Sequence, residues 1–208
     1  TDTRLIINRV KKRDVTKGRL LNGDSAIDST IFNLNIQGNI EKAENIGGVI
    51  GSITNGTVKN ITLNLVLNGT GDIGGVASEI INSNIENTIV RGEIIGDMTV
   101  GGIAGTITGS NIKLTQIEAI IKSNEASENA LVGGIAGEMK DSNVKVATIK
   151  GLIQNEEHRS GIGITGGIAG RTEGGSISIV KIEKGTKISG NNYVGGLVGM
   201  ADAYSESY

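Results

Sequence analysis

The sequence contains no cysteine, no proline and no tryptophan, one histidine (His158), one phenylalanine (Phe32) and three tyrosines (Tyr193, Tyr204 and Tyr208). Without cysteine there can be no disulfide framework, thiolate metal site or thiol nucleophile, and one histidine rules out any metal centre that needs two from this chain. With aromatics at 2% of the residues, the interior cannot be built around large rings. No apolar run approaches the roughly 18 residues of a membrane-spanning helix. Yet 37% of the residues are hydrophobic and 20% are charged, a balance too apolar for disorder. The chain must therefore fold around small and branched aliphatic side chains, and it is rich in them: 33 isoleucines and 33 glycines in 208 residues.

Charge is unevenly placed. Residues 1–20 carry Arg4, Arg9, Lys11, Lys12, Arg13, Lys17 and Arg19 against Asp2 and Asp14, a net +5, which leaves −7 on the remainder of a chain whose total is −2. Nucleic-acid surfaces interleave such charges with aromatics, and this segment has none, so no nucleic-acid binding is expected. Residues 1–28 read as a basic N-terminal cap or linker, and residues 29–208 as the repeat domain. The sequence stops inside a repeating unit, so a truncated array from a longer parent is expected.

The repeat is explicit. GGVIG begins at Gly47, GGVAS at Gly74, GGIAG at Gly101, Gly133 and Gly166, and GGLVG at Gly195, with successive starts 27, 27, 32, 33 and 29 residues apart. Eleven residues after each of the first five starts stand Val58, Ile85, Ile112, Val144 and Ile177. Ile61, Thr88, Thr115, Ala147 and Val180 follow three residues later, and Leu63, Val90, Ile117, Ile149 and Ile182 two beyond those. Residues 29–46 match the second part of the unit, which sets Ile31, Leu34 and Ile36 over Val58, Ile61 and Leu63.

Segments such as Ile61–Leu67 alternate apolar and polar residues and are bounded by Asn-Gly or Gly-Asp turns, which is strand periodicity. A unit of about 27 residues that cannot bury its own apolar side must stack on copies of itself. The expected fold is all-β: a parallel β-helix, or β-solenoid, of about six coils, with a short cap within residues 1–28 as the only place for helix. At a rung spacing of about 4.8 Å, equivalent side chains form interior columns. One is Val49, Val76, Ile103, Ile135, Ile168 and Leu197; another runs from Val58 to Ile177. The paired glycines have two possible tasks, positive φ at a corner or room for a close approach between rungs. A phosphate loop would need a following helix that the pattern lacks.

The recurring aliphatic-Gly-Gly-aliphatic-small-Gly pattern, clearest in Val194-Gly-Gly-Leu-Val-Gly199, resembles the GLUG motif over residues 29–199. That resemblance implies a secreted, bacterial cell-surface or cell-wall protein, either a filamentous-haemagglutinin-like adhesin or the region upstream of an immunoglobulin A-specific zinc metallopeptidase. It implies other domains of the same parent chain, and a host protein or glycoprotein, as partners. The catalytic HExxH helix of such peptidases has no counterpart here: His158 lies in Glu156-Glu157-His158-Arg159. The segment itself is expected to be non-enzymatic, with no cofactor, no metal site and no membrane insertion.

Sites are sought where the repeat varies. Counted from the residue twenty past each start, the next Gly pair begins 7 residues after Leu67, 7 after Ile94, 12 after Ile121, 13 after Ile153 and 9 after Thr186. On this count all length variation falls at one corner, and loops on a rigid scaffold are where binding resides. The candidate binding edge comprises Asn124, Glu125, Glu128, Asn129, Glu156, Glu157, His158 and Arg159; the alternative is drift at a corner that tolerates it. A carbohydrate-active β-helix would need clustered carboxylates, and the acidic residues scatter along the sequence. A flat threonine array is also absent, since Thr106 and Thr108 align with Glu79 and Ile81 on one side and Glu138 and Lys140 on the other.

Overall fold

A computed structural model describes residues 4–6, 10–11, 25–124, 129–156 and 161–202. The described residues form strands and turns, with no helix among them, and all pairings among residues 25–202 are parallel. Short strands stack in chain order into one sheet: Ser25–Ile27, Ile50–Thr54, Ala77–Ile81, Ala104–Thr108, Ala136–Lys140, Ala169–Glu173 and Val198–Asp202. The longer strands that follow them, Thr30–Gly47, Thr57–Gly74, Asn84–Gly96, Asn111–Ser123, Asn143–Gln154 and Ser176–Ile182, stack into a second sheet. The protein is therefore a parallel β-helix of six coils, numbered 1 to 6 here by these long strands.

The expected columns are present and in register. Ile31 pairs with Val58, and that row continues through Ile85, Ile112, Val144 and Ile177. From Val49 to Ile168 the first column is fully buried, and each member's amide donates to the carbonyl of the next: Val49 to Val76 at 3.0 Å, Val76 to Ile103 at 2.9 Å, Ile103 to Ile135, Ile135 to Ile168 and Ile168 to Leu197 at 2.8 Å. Full burial of each such side chain contributes roughly 1.5–3 kcal/mol. Branched aliphatics tolerate self-stacking at rung spacing, which explains why isoleucine dominates the composition. The one phenylalanine sits outside, with Lys59 Nζ 5.9 Å from its ring centre.

Of the two tasks open to the glycine pairs, close approach is the one performed. None of Gly47, Gly48, Gly74, Gly75, Gly101, Gly102, Gly133, Gly134, Gly166 or Gly167 has positive φ. A Cβ on the first glycine of a pair would collide with the carbonyl three residues on, as at Gly101 with Ala104 O; one on the second would strike the second glycine of the next coil, as at Gly102 with Gly134 O. The chain turns so tightly here that successive rungs leave no space for a methyl group.

Positive φ is used instead at two other corners. The first lies between the short and long strands, at Asp28, Asn55, Asn82, Gly109, Asp141 and Gly174, with φ between 47 and 67°. Only Asn, Asp and Gly occupy it, the residues that enter the left-handed region at least cost. Behind it stand Ser29, Gly56, Ser83, Ser110, Ser142 and Gly175. The Ser83 hydroxyl accepts the Gly56 amide at 2.9 Å, Ser110 accepts from Ser83 at 2.9 Å and Ser142 from Ser110 at 3.1 Å, while each donates back to the carbonyl two residues earlier. This buried serine ladder satisfies corner amides that would otherwise be orphaned.

The second corner lies five residues further along, at Asn33, Asn60, Asn87, Leu114, Val146 and Ile179, with φ between 50 and 59°. Its first three members form an exposed amide ladder: Asn60 Nδ2 donates to Asn33 Oδ1 at 3.0 Å and Asn87 Nδ2 to Asn60 Oδ1 at 2.8 Å. The last three are aliphatic, two of them β-branched. A left-handed conformation costs such a residue about 1–2 kcal/mol, and all three side chains are also exposed to solvent.

The two ends differ. Arg4–Ile6 runs antiparallel to residues 30–32, and Val10–Lys11 antiparallel to Ser25 and Ala26, so strands lie on the first coil in both sheets where the sequence left room for a helical cap. Residues 7–9 and 12–24 lie outside the described residues. At the other end Ile177, Val180, Ile182 and Ile188 are only partly buried, and Tyr193, Val194 and Leu197 are about half-exposed, because coil 6 has one further strand stacked upon it and no complete coil.

Candidate functional site

The length-variable corner follows the long strand. Strand register locates the insertions residue by residue: Ile95 pairs with Lys122 and Lys122 with Gln154, while Thr99 pairs with Leu131 and Leu131 with Ile164. Coil 3 crosses this corner with residues 96–98, coil 4 with residues 123–130 and coil 5 with residues 155–163. Coil 6 is short again. Ser189 pairs with Gln154 and Tyr193 with Ile164, which leaves residues 190–192.

The expectation that all length variation falls at one corner is thereby corrected. Ile188, and not Thr186, is the partner of Ile153, so the two extra residues of the last interval lie between Ile182 and Ile188, in the turn around Lys184 and Gly185. Counting forward from a Gly pair assumes an unbroken register along the long strand. In coil 6 that strand breaks after Ile182, and Thr186 closes the turn with its amide donating to Glu183 O at 3.1 Å. Only coils 4 and 5 carry long loops at the predicted edge.

Amide and carboxylate side chains staple this corner. Asn45 Oδ1 accepts the Asp72 amide at 3.0 Å, Asp97 Oδ1 accepts the Gly71 amide at 2.5 Å, Asn129 Oδ1 the Ile162 amide at 2.8 Å and Asn192 Oδ1 the Gly163 amide at 2.8 Å. Asn129, expected at the binding edge, thus ties coil 4 to coil 5. Glu156 is also anchored: its amide donates to Ser123 Oγ at 2.8 Å and its carboxylate accepts from Gln154 Nε2 at 3.3 Å. The Asn124 amide donates to Gly96 O at 2.6 Å. The structure brings Asn124, Asn129 and Glu156 to one corner as stems of two adjacent loops. Glu125, Glu128, Glu157, His158 and Arg159 lie outside the described residues.

Sequence reasoning missed Asn155, the residue that organises this corner from within. Nearly fully buried, it accepts a hydrogen bond from Ser123 Oγ at 2.9 Å and donates from Nδ2 to Ala130 O at 2.7 Å. Thr165 Oγ1 and Ser189 Oγ are buried without a hydrogen-bond partner. The corner therefore has a polar lining under the long loops, whereas coil 3 places Gly96 and Val100 in the columns of Ser123 and Thr165. An asparagine between Gln154 and Glu156 gave no sequence signal for burial.

A shallow depression of about 420 Å³ opens on the outer face of the long-strand sheet, lined by Gly92, Glu118, Ala119, Ile120, Lys150 and Gly151. Gly92 and Gly151 adopt φ of 112 and 136°, and a side chain on either would run into the neighbouring rung's backbone, which keeps the floor low. Arg91 donates to Glu118 at 2.7 Å and holds that carboxyl below the usual range, with burial opposing and Gln116 assisting. One carboxylate, already paired, and one nearby lysine do not form an acid–base pair or a ligand set. Among the described residues no group of three or more His, Asp or Glu side chains is placed to hold a metal ion.

No protein-family model matches the chain, and no curated protein matches it significantly.

Proposed function

We propose that this chain is a noncatalytic β-helical spacer or protein-interaction segment of a secreted, cell-surface bacterial protein. The observation that carries the reading is the pairing of a laddered, rigid rod with two long loops on adjacent coils. Six coils at about 4.8 Å per rung give a rod roughly 30 Å long, and the staples from Asn129 and Asn155 fix the loop stems against it. Such a rod holds neighbouring domains apart and presents the loop edge to a host protein or glycoprotein. The GLUG-like Gly-Gly pattern supports a second reading, an accessory domain that positions substrate for an immunoglobulin A-type zinc metallopeptidase whose HExxH helix lies outside this chain. A carbohydrate-binding or carbohydrate-active β-helix is the third, supported by the fold alone.

Loop deletion tests the reading. Removing residues 124–128 and 156–161 leaves both coils with the crossing length of coil 3 while keeping Asn129 and Asn155. Binding of the intact chain to immobilised immunoglobulin A and to a panel of host surface glycoproteins is measured by surface plasmon resonance, with product analysis of each target. The expected result is binding without cleavage, lost on deletion while circular dichroism is unchanged. Binding that survives deletion moves the surface elsewhere, and digestion of protein or glycan by pure chain overturns the noncatalytic reading.

A further inference from the structure

The second left-handed corner points to an interaction surface separate from the loop edge. Leu114, Val146 and Ile179 stack on successive rungs with relative exposures of 51, 36 and 68%. All three hold the left-handed conformation that Asn33, Asn60 and Asn87 hold in the first three coils. The exchange gives up the amide ladder and puts a leucine and two β-branched residues in a disfavoured conformation with much of their apolar surface exposed. Strain retained against an available alternative points to a function at that place.

The flanks carry a second, independent irregularity. On one side of the ridge Lys113 pairs in register with Lys145, so two like charges sit one rung apart. Neither forms an ion pair with a described residue. The first three coils hold Phe32, Lys59 and Glu86 in that column. On the other side stand Gln116, Thr148 and Lys181, the last paired with Glu183 at 2.7 Å. Glu86 is in register with Lys113 on its other side and Ser178 with Lys145, so the column Lys59, Glu86, Lys113 and Lys145 is net positive beside the aliphatic side chains, which fits a partner that is apolar in its centre and acidic at its edges.

We propose that the ridge Leu114–Val146–Ile179, with Lys113 and Lys145 beside it, docks an acidic amphipathic helix of a protein partner lying along the solenoid axis. Spacing selects the helix. Rungs repeat at about 4.8 Å, close to the rise of about 4.5–6 Å between helix residues three or four apart, whereas same-face residues of an extended strand are about 6.8 Å apart. The carboxylates of Glu118 and Glu183 share this face, which suits a partner with patterned charge better than a uniformly anionic bilayer. A second copy of this chain would set lysine columns against each other.

The test uses the whole chain with methyl-labelled Leu, Val and Ile, and a synthetic helical peptide of about eighteen residues with a leucine stripe flanked by glutamates. Its glutamate-to-lysine counterpart and phosphatidylglycerol vesicles serve as the other probes. The acidic peptide is expected to shift the methyl signals of Leu114, Val146 and Ile179, and to bind roughly tenfold more weakly to the L114N/V146N/I179N variant. K113E/K145E should weaken binding similarly, and loop deletion should leave it unchanged. If the triple variant does not fold, Ile179→Asn alone supplies the comparison. Equal binding of the acidic and basic peptides, acidic-peptide binding indifferent to the ridge variants, or ridge-dependent binding of vesicles without peptide binding would each overturn the proposal.

Discussion

The two left-handed corners of each coil solve the same backbone problem under different rules. At the first, six coils out of six use Asn, Asp or Gly, and the serine ladder behind that corner is buried. At the second, three coils use Asn and three use Leu, Val or Ile, and the side chains are exposed. The difference lies in what a side chain can do besides set φ. A serine at the first corner satisfies two backbone groups that water cannot reach, so substitution there removes hydrogen bonds as well as a favoured conformation. At the second corner the asparagine ladder faces solvent, its net contribution is small, and the position is open to another use.

The largest expected effect tests whether both corners hang on one core. Ile112 lies between Gly109 at the first and Leu114 at the second, and it is fully buried in its column. Ile112→Asp buries a carboxylate between aliphatic rungs with no partner and should cost more than about 4 kcal/mol, enough to prevent soluble folding. Soluble yield and far-UV circular dichroism read the outcome. A folded, normally stable Asp variant would show the inward register to be wrong and the equivalence of the corners with it.

The core was legible in the sequence because it repeats at fixed offsets. Val58, Ile85, Ile112, Val144 and Ile177 stand eleven residues after their Gly pairs and pair in one row, buried from Val58 to Val144, so counting alone predicted the register. The same counting failed at Thr186, where two residues enter the long strand itself. The loop edge was legible as length; its stapling was not, because Asn129 and Asn155 look like ordinary loop polar residues until their partners on other coils are known. The left-handed aliphatic corner was hidden for a related reason. Leu114, Val146 and Ile179 fit strand propensity, and nothing local signals that rung stacking holds them at positive φ.

Ser110→Ala breaks the first corner alone. The Ser110 hydroxyl accepts the Ser83 amide at 2.9 Å and donates to Thr108 O at 2.7 Å, at 0% exposure. The alanine variant leaves that amide buried and unpaired, a loss of about 1–3 kcal/mol that should appear in the urea midpoint. A change below about 0.5 kcal/mol would mean that water reaches the corner, and the distinction between the corners would collapse.

Exchanging residue types between the corners sharpens the contrast. Asn82→Val places a β-branched residue in the strict corner, at φ 47°, and should destabilise by about 1–2 kcal/mol. Leu114→Asn makes the opposite change at the permissive corner, next to Asn87, and should stabilise by up to about 1 kcal/mol through relief of strain and a one-rung extension of the ladder. Paired thermal melts decide it: opposite signs support the comparison. A destabilised L114N would mean that Leu114 contributes packing to the isolated chain, and its exposure would then have no bearing on a partner.

The smallest expected effect lies at the boundary between the two kinds of coil. Arg91 belongs to the coil of Asn87 and Glu118 to the coil of Leu114, and their 2.7 Å pair bridges the place where the amide ladder ends. The Arg91 hydrogen bond lowers the Glu118 pKa below its ordinary 4.5 against an opposing effect of burial. A carboxyl whose pKa is depressed on folding stabilises the protein fully above its unfolded value, and that contribution is lost as pH falls through the folded value. Glu118→Gln should therefore cost a constant amount between about pH 6 and 8 and progressively less below about pH 4.5. The side chains are 42 and 31% exposed, so solvent and salt screen the pair and the cost should stay under about 1 kcal/mol, smaller still in 1 M salt. Urea midpoints of both proteins across this pH range measure it. If the deficit of the glutamine variant persists undiminished at pH 3, the charge is not its source, and what joins the asparagine coils to the aliphatic coils is the stacked backbone and core beneath them.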